Sequence, residues 1–167
     1  ANRPEYIISY FAILANGGTV VPINPTFKEK EITYILNDSE SEYLIMEDAS
    51  KPAVEKAMGQ LSTVKTIISV SETEDERFTS WQDLDSPSPI SGIVPMHASD
   101  VAQIIYTSGT TGNPKGAMIT HGNLNWMSIT AAVYNHMVPS DRVLCVLPLF
   151  HAYAKLQGFL APIAHGC

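Results

Sequence analysis

The sequence contains few of the residues that mark three common classes of protein. Two of its 167 residues are cysteine, and they form neither a CxxC motif nor a His-paired metal spacing, which excludes a disulfide scaffold and a zinc-finger site. Ten Lys and Arg residues against seventeen Asp and Glu give a net charge of −7, so we expect no nucleic-acid-binding face. Apolar runs are too short for a membrane span or a signal peptide, so we expect no transmembrane segment and a cytoplasmic location.

The composition that is present suits a folded domain with a packed core. Hydrophobic residues make up 45% of the chain and charged residues 16%, which argues against disorder. Helical patterns alternate with short apolar runs, and this order predicts an α/β fold with a mainly parallel sheet flanked by helices. The predicted strands outside the central loop are residues 19–23, 43–46, 66–70 and 142–147. The predicted helices begin at Asn2-Arg-Pro-Glu, at a capping box in residues 26–29, at Lys51 and at His121.

Two of these helices carry more detailed expectations. The helix from Lys51 is predicted to end near Leu61, and the helix from His121 near Met137. In the latter, four large apolar residues recur at helical spacing, so we expect them to form a buried face. These residues are Trp126, Met127, Ile129 and Val133.

The most informative segment is Tyr-Thr-Ser-Gly-Thr-Thr-Gly-Asn-Pro-Lys-Gly at residues 106–116. Its glycines let the backbone turn and approach a ligand closely. Its hydroxyl groups and backbone amides are hydrogen-bond donors, and Lys115 adds one positive charge. Apolar residues on both sides predict a flanking strand at each end. A loop of donors between two strands predicts a site that grips phosphate oxygens.

The two sequence patterns of the familiar nucleotide loops do not fit this segment. A Walker A loop requires G-x-x-x-x-G-K-[ST], but counting from Gly109 puts Pro114 at the second glycine, and Gly116 follows the lysine. Dinucleotide-binding and kinase loops both require G-x-G-x-x-G, which this segment lacks. A third pattern of phosphate loop is therefore needed.

Residues 107–116 closely resemble the phosphate-binding signature of the adenylate-forming superfamily. That group includes acyl-CoA synthetases, aryl-CoA ligases, peptide-synthetase adenylation domains and firefly-type luciferases. Three further segments resemble motifs of the same family, in the family's order: residues 18–25, 120–124 and 147–153. The resemblance is strongest to acyl- and aryl-CoA ligases, and it implies that the chain is part of the large N-terminal domain of such an enzyme.

The resemblance implies a reaction in two halves. A carboxylate attacks the α-phosphorus of ATP to give an acyl-adenylate and pyrophosphate, and the thiol of CoA then displaces AMP to give a thioester. The implied partners are a carboxylic acid, ATP and CoA, with Mg²⁺ arriving on ATP and no metal ligand in this chain. The implied nucleotide-binding residues are Thr107, Ser108, Gly109, Thr110, Thr111, Gly112 and Lys115.

Two residues are expected to take part in catalysis. Lys115 is expected to contact phosphate oxygens. His151 occupies the family's aromatic-His position, where the resemblance places it near the carboxylate and the α-phosphate. Four residues later, Lys155 puts a charge where an apolar acyl tunnel is expected. It is open at this point whether Lys155 faces solvent or signals an unusual substrate.

Later family motifs are absent from the chain. There is no Tyr-Gly-x-Thr-Glu segment, no Thr-Gly-Asp segment and no small C-terminal domain. We therefore expect an incomplete AMP-binding domain that is inactive by itself. Residues 1–95 would form a sheet-and-helix part, and residues 96–167 would contain the phosphate-loop hairpin, the following helix and the start of the acyl-site region.

Two other functions remain open from the sequence. One is an adenylation domain that loads the thiol of a carrier protein instead of CoA. The other is a nucleotide-binding or regulatory module without ligase activity. The acid that is used and the oligomeric state are not determined by these motifs.

Overall fold

The computed structural model describes residues 2–84, 92–107 and 113–167. Within these residues, helices and short strands alternate along the chain. The helices are α1 (Pro4–Ala15), α2 (Glu29–Asp38), α3 (Lys51–Ala57), α4 (His121–Tyr134), α5 (Ala152–Lys155) and α6 (Ala161–His165), with a π-helix at Leu156–Leu160. The strands are β1 (Tyr43–Met46), β2 (Thr66–Ser69), β3 (Thr79–Ser80), β4 (Val101–Thr107) and β5 (Lys115–Thr120).

The chain forms two compact units, each assembled from separate stretches of sequence. The first unit contains Ala1–Pro22, Ile93–Ile105 and Gly116–Cys167, and the second contains Ile23–Gly92 and Tyr106–Lys115. Strands β4 and β5 pair with each other in a two-stranded sheet. The sequence-based division of the domain at residue 95 stays a prediction.

A three-stranded parallel sheet organises the second unit. Strand β2 lies between β1 and β3 and runs parallel to both, with Ile45 opposite Ile68 and Ile68 opposite Thr79. Helices α2 and α3 bury their apolar faces in the same core as the strands. The connection from β1 to β2 contains α3, and it is a helical crossover of the kind that parallel pairing requires. The predicted α/β class with a parallel sheet is confirmed. The buried core residues are Ile32, Leu36, Leu44, Met46, Val54, Ala57, Ile67 and Phe78.

Helix α2 begins differently from the prediction, which placed a capping box at residues 26–29. Its N-cap is Lys28, and the backbone N–H of Lys28 donates to the Glu31 carboxylate at 3.0 Å. Thr26 instead donates its hydroxyl and its backbone N–H to the Asn24 side chain, at 2.9 and 3.0 Å. The Asn24 side chain closes a local turn around Pro25, so Thr26 is not available as a cap. Further along, α3 ends at Ala57 and continues as a 3₁₀ turn over Met58–Gln60, which includes Gly59.

The first unit is built around helix α1. Pro4 stands in its first turn, where its missing N–H is not needed, and Gly17 follows its C-terminus with a φ of +74°, a conformation that favours glycine. Tyr10 lies in the core of this unit. The other buried members of that core are Val20, Leu149, Phe159 and Leu160.

The predicted strand at residues 19–23 is wrong, because it is reduced to one bridge. Val20 pairs in parallel with Gln103 of β4. Its N–H donates to the carbonyl of Ala102, and its carbonyl accepts from the N–H of Ile104, both at 2.9 Å. In a parallel ladder, the next residue to pair in this way is Pro22. Proline has no N–H to donate, so the ladder stops after one step.

The predicted strand at residues 142–147 is also wrong. This stretch contains no helix or strand, and Leu144 and Val146 are 83% and 71% exposed. Its backbone carbonyls at Cys145 and Leu147 accept hydrogen bonds from the Asn2 side chain, at 3.3 and 2.9 Å. A strand requires a neighbouring ladder, and no strand of the described residues pairs with this stretch.

Helix α4 begins at His121, as predicted, but its predicted buried face is wrong. Its N-cap Thr120 accepts from the backbone N–H of Asn123 at 3.1 Å, which caps the first turn. The buried residues of α4 are small, namely Ser128, Ala131 and Ala132. Close packing of the helix uses this small-residue side, so the larger side chains lie outward. The exposed residues are Trp126, Met127, Ile129 and Val133.

The burial pattern predicts which leucines and isoleucines hold the fold together. Leu36 is 1% exposed in the core of the second unit, whereas Ile8 on α1 is 55% exposed. We expect Leu36→Ala to lower the free energy of unfolding by about 2–4 kcal/mol, because it removes buried methyl groups and leaves a cavity. Ile8→Ala, the control, is expected to change it by less than about 0.5 kcal/mol. Urea unfolding followed by circular dichroism measures both, and equal losses would contradict this assignment of the core.

Candidate functional site

Two of the predicted nucleotide-binding residues mark the ends of the glycine loop. Thr107 is the last residue of β4, and Lys115 is the first residue of β5. Both side chains are exposed, and pairing of the two strands fixes the two ends of the loop. The remaining predicted residues lie outside the described part of the chain. They are Ser108, Gly109, Thr110, Thr111 and Gly112.

A tyrosine–aspartate contact holds the N-terminal end of this loop within the second unit. The hydroxyl of Tyr106, the residue before Thr107, donates to the Asp38 carboxylate at 2.5 Å. The Tyr34 ring stands edge-on to the Tyr106 ring at 6.4 Å and 88°. Its hydroxyl lies 3.5 Å from the other oxygen of Asp38. Asp38 is the last residue of α2, so the contact ties the end of that helix to the residue beside Thr107.

The pKa of the Tyr106 phenol is raised above its ordinary value of 10.0. Burial is the largest cause of that rise in pKa, and the hydrogen bond to Asp38 and the charge of Asp38 add to it. A hydrogen bond from an O–H group to a carboxylate is stronger than a bond between neutral groups. The phenol is therefore protonated and able to donate throughout the physiological pH range.

His151 lies in the first unit, directly before helix α5. It is the N-cap of that helix, with φ −77° and ψ 135°, and its side chain is exposed. Its N–H donates to the Pro148 carbonyl at 3.0 Å, and its own carbonyl accepts from Lys155 at 2.9 Å. Thr107 and Lys115 thus lie at the two ends of one loop. His151 lies in the other unit, where its backbone is held by these two hydrogen bonds.

Lys155 is buried, which decides one question left by the sequence. The residue is 1% exposed, so it does not face solvent. Its ammonium nitrogen donates to the side-chain oxygen of Gln103 and lies 5.3 Å from the centre of the Tyr10 ring. Tyr10 donates its hydroxyl to the same oxygen of Gln103 at 3.1 Å. A lysine and a tyrosine therefore donate to the same glutamine oxygen inside the core of the first unit.

Burial changes the proton affinity of this cluster. Desolvation lowers the pKa of Lys155 from its ordinary value of 10.5 to about 7, because burial disfavours the charged form of an amine. The pKa values of the neighbouring phenols on α1, Tyr6 and Tyr10, are raised, chiefly by burial. The Tyr6 hydroxyl has no hydrogen-bond partner among the described residues. Near neutral pH the lysine is thus close to its titration midpoint, and both phenols are uncharged.

The described donors suit phosphate better than a resident metal ion. A hydroxyl on Thr107 and a cation on Lys115 are the groups that bind phosphate oxygens. Within residues 2–84, 92–107 and 113–167, no group of three or more His, Cys, Asp or Glu side chains is placed to hold a metal ion.

Sequence reasoning missed Asp38 and the partners of Lys155. Asp38 is separated from Tyr106 by 68 residues, and Gln103 is separated from Lys155 by 52 residues. The sequence offered a partial signal for the first of these contacts, since Tyr34 and Asp38 are four apart on one face of a helix. Nothing local pointed to the second.

In the part of the chain that is described, none of the helices has the length and the apolar character that a membrane span requires.

Comparison with known proteins gives a match along the whole chain. The sequence pattern of the family described as AMP-binding enzyme matches residues 1–167. An oxalate–CoA ligase from Arabidopsis thaliana is 29% identical over 166 residues, covering 99% of this chain and 32% of the relative. A long-chain-fatty-acid–CoA ligase from Thermus thermophilus is 32% identical, covering 97% of this chain and 30% of the relative. The chain thus spans about a third of the length of these relatives.

Solved structures give the same result for the fold. A crystal structure of an anthranilate CoA ligase in complex with anthranoyl-AMP superposes with a TM-score of 0.93 at 28% identity. The match covers 99% of this chain and 32% of that one. The fold is therefore that of part of the large N-terminal domain shared by adenylate-forming enzymes.

The buried lysine predicts an unusual dependence of stability on pH. The folded-state pKa of Lys155 is about 7, below the ordinary 10.5, so the unfolded chain binds more protons between these values and the folded state gains stability as pH rises. We expect the free energy of unfolding to rise by on the order of 1–2 kcal/mol between pH 7 and pH 9. Lys155→Met should lack this rise. Above pH 9, ionisation of Tyr6 and Tyr10 in the unfolded chain acts in the opposite direction.

Urea unfolding at constant ionic strength, at several pH values between 7 and 9, measures this difference. Lys30→Met, which removes an exposed lysine, is the matched control and should keep the wild-type slope. The same slope in wild type and Lys155→Met would contradict the assignment.

Proposed function

The chain belongs to the AMP-binding enzyme family, and from that premise we propose that the protein containing it is an acyl- or aryl-CoA ligase. It activates a carboxylic acid with ATP and transfers the acyl group to CoA. The family match along all 167 residues carries this proposal. The order of residues in the loop from Thr107 to Lys115, between two paired strands, supports it. A cytoplasmic location also stays a proposal.

The first half-reaction must bring two anions together. An oxygen of the carboxylate attacks the α-phosphorus of ATP, the bond from that phosphorus to the bridging oxygen breaks, and pyrophosphate leaves. We assign to Lys115 the role of a cation on the phosphates and to Thr107 the role of a hydroxyl donor. Both reduce the repulsion between the reactants. The other donors of the loop, Ser108 to Gly112, are assigned to the same phosphates.

The second half-reaction forms the thioester. The CoA thiol loses its proton and attacks the acyl carbonyl carbon, and AMP leaves with the electrons of the broken carbon–oxygen bond. We assign His151 to the reacting carboxylate and the α-phosphate, as a donor that orients them. Its place supports this role, because an exposed side chain on a helix N-cap is free to reach a ligand. Mg²⁺ bound to the ATP phosphates supplies further charge neutralisation.

Pyrophosphate release by the full-length protein tests the function. With ATP, Mg²⁺ and a panel of aliphatic and aromatic acids, we expect release that depends on one class of acid, and thioester formation when CoA is added. Acid-dependent release with transfer only to a carrier-protein thiol would identify an adenylation domain instead. If none of the acids in the panel causes pyrophosphate release, the ligase proposal is overturned. We propose that the 167 residues alone show no turnover, since they span a third of the related enzymes.

Replacing Lys115 tests the role of the loop. We expect Lys115→Ala to lower kcat/KM for ATP by on the order of 10- to 100-fold, because it removes a cation from the transferring phosphates. Lys30→Ala is the matched control, since it removes an exposed lysine from helix α2. It should leave the rate within about twofold of wild type. Steady-state kinetics with ATP varied at a saturating acid concentration give the comparison, and equal rates for the two variants would remove Lys115 from the site.

A further inference from the structure

Helix α5, which follows His151, is the first turn of a helical stretch that continues without a break through the π-helix and α6 to His165. Within this first turn Ala152 and Tyr153 are exposed, and the buried residues are Ala154 and Lys155. An alanine offers little surface for packing. Lys155 is therefore the larger of the two side chains that attach this turn to the core.

Lys155 connects His151 to strand β4 in two steps. Its backbone N–H donates to the His151 carbonyl at 2.9 Å, and its side chain donates to Gln103 of β4. Gln103 is 1% exposed, and its backbone forms the bridge with Val20. The acceptor is held from a second side by the Tyr10 hydroxyl at 3.1 Å. His151 is thus linked to a part of the core that is fixed by both backbone and side-chain contacts.

The helix leaves the regular α-helical pattern directly after Lys155. Residues Leu156–Leu160 form a π-helix, in which the hydrogen bonds span one residue more than in an α-helix. Such turns shift the register of the helix and are frequent at functional sites. A hydrogen bond to one fixed oxygen is directional, whereas apolar contacts are not. The bond from Lys155 to Gln103 thus gives the turn after His151 a directional contact with the core.

The choice of lysine at this place has a cost that an apolar residue would avoid. An amine that is buried with a single hydrogen-bond acceptor loses most of its hydration. A protein with well-packed hydrophobic residues at such a place is often at least as stable as one with a buried charge. The contact is thus better explained by a gain in specificity of position than by a gain in stability. The titratable groups of this core besides Lys155 include Tyr10 and Tyr6 from α1 and the thiol of Cys145. Both phenols are uncharged near neutral pH.

We propose that Lys155 is a positioning residue for His151, acting through its hydrogen bond to Gln103. This inference rests on the proposed function, since it requires His151 to contact the reacting acid. Lys155 itself is buried and does not touch substrate. Its effect is therefore expected on use of the carboxylic acid and on turnover, and not on binding of ATP.

Kinetics of the full-length protein test this inference. Lys155→Met keeps the length of the side chain and removes the donor. We expect it to lower kcat/KM for the acid by on the order of tenfold to a hundredfold, the effect of misplacing a reacting group by about 1 Å. KM for ATP should stay within twofold, and the melting temperature should not fall. Gln103→Asn, which withdraws the acceptor by one methylene group, should lower kcat/KM for the acid in the same way, with KM for ATP again within twofold. Its melting temperature is expected to fall, because the buried donors of Tyr10 and Lys155 lose their acceptor. Lys30→Met should match wild type.

A double-mutant comparison separates positioning from a general loss of structure. In the presence of His151→Ala, adding Lys155→Met should have little further effect, because the residue that it positions is gone. If Lys155→Met and Gln103→Asn keep the wild-type kcat/KM for the acid, the inference is wrong. It is also wrong if Lys155→Met lowers the rate by the same factor with and without His151. An active wild type with either result overturns this inference alone, whereas an inactive wild type overturns the proposed function and this inference together.

Discussion

The side-chain oxygen of Gln103 is the point on which the first unit depends. It accepts hydrogen bonds from Tyr10 of α1 and from Lys155 of α5, while the backbone of the same residue pairs with Val20. Three segments far apart in the sequence thus meet at one buried amide. A polar group at such a place must be fully used, because an unpaired buried donor or acceptor is expensive. The arrangement of α1, β4 and α5 is therefore one interdependent structure.

The second unit is held together mainly by apolar contacts and not by a buried polar cluster of this kind. Its core is apolar, and a parallel sheet gives it order. Its polar contact of interest is the carboxylate of Asp38, which receives the Tyr106 hydroxyl at the edge of the glycine loop. A carboxylate at the C-terminus of a helix faces the negative end of the helix dipole, which disfavours it. The bond from Tyr106 offsets that disadvantage and gives the residue beside Thr107 a defined position.

The elements that the sequence predicts correctly are those determined by residues close together in the chain. Strands β1 and β2 are visible in the sequence as short apolar runs between turns, and α1 is visible from Pro4 and from the glycines after it. The run at residues 142–147 has the same apolar character and yet forms no strand, because a pattern shows that a segment can pair and not whether a partner lies beside it. The outward side chains of α4, such as Trp126, illustrate the same limit. In the site, the order of residues in the loop was enough to identify the family, whereas Asp38 and Gln103 depend on tertiary contacts.

Pro22 has a consequence beyond ending one ladder. A strand that stops after a single bridge offers few free donors and acceptors to another molecule, and proline is one of the residues with which natural proteins protect the edges of sheets. A residue with an N–H at this position would allow pairing with β4 to extend, and would lengthen a surface suited to strand exchange between molecules. The same proline that makes the sequence pattern misleading therefore guards this segment against aggregation.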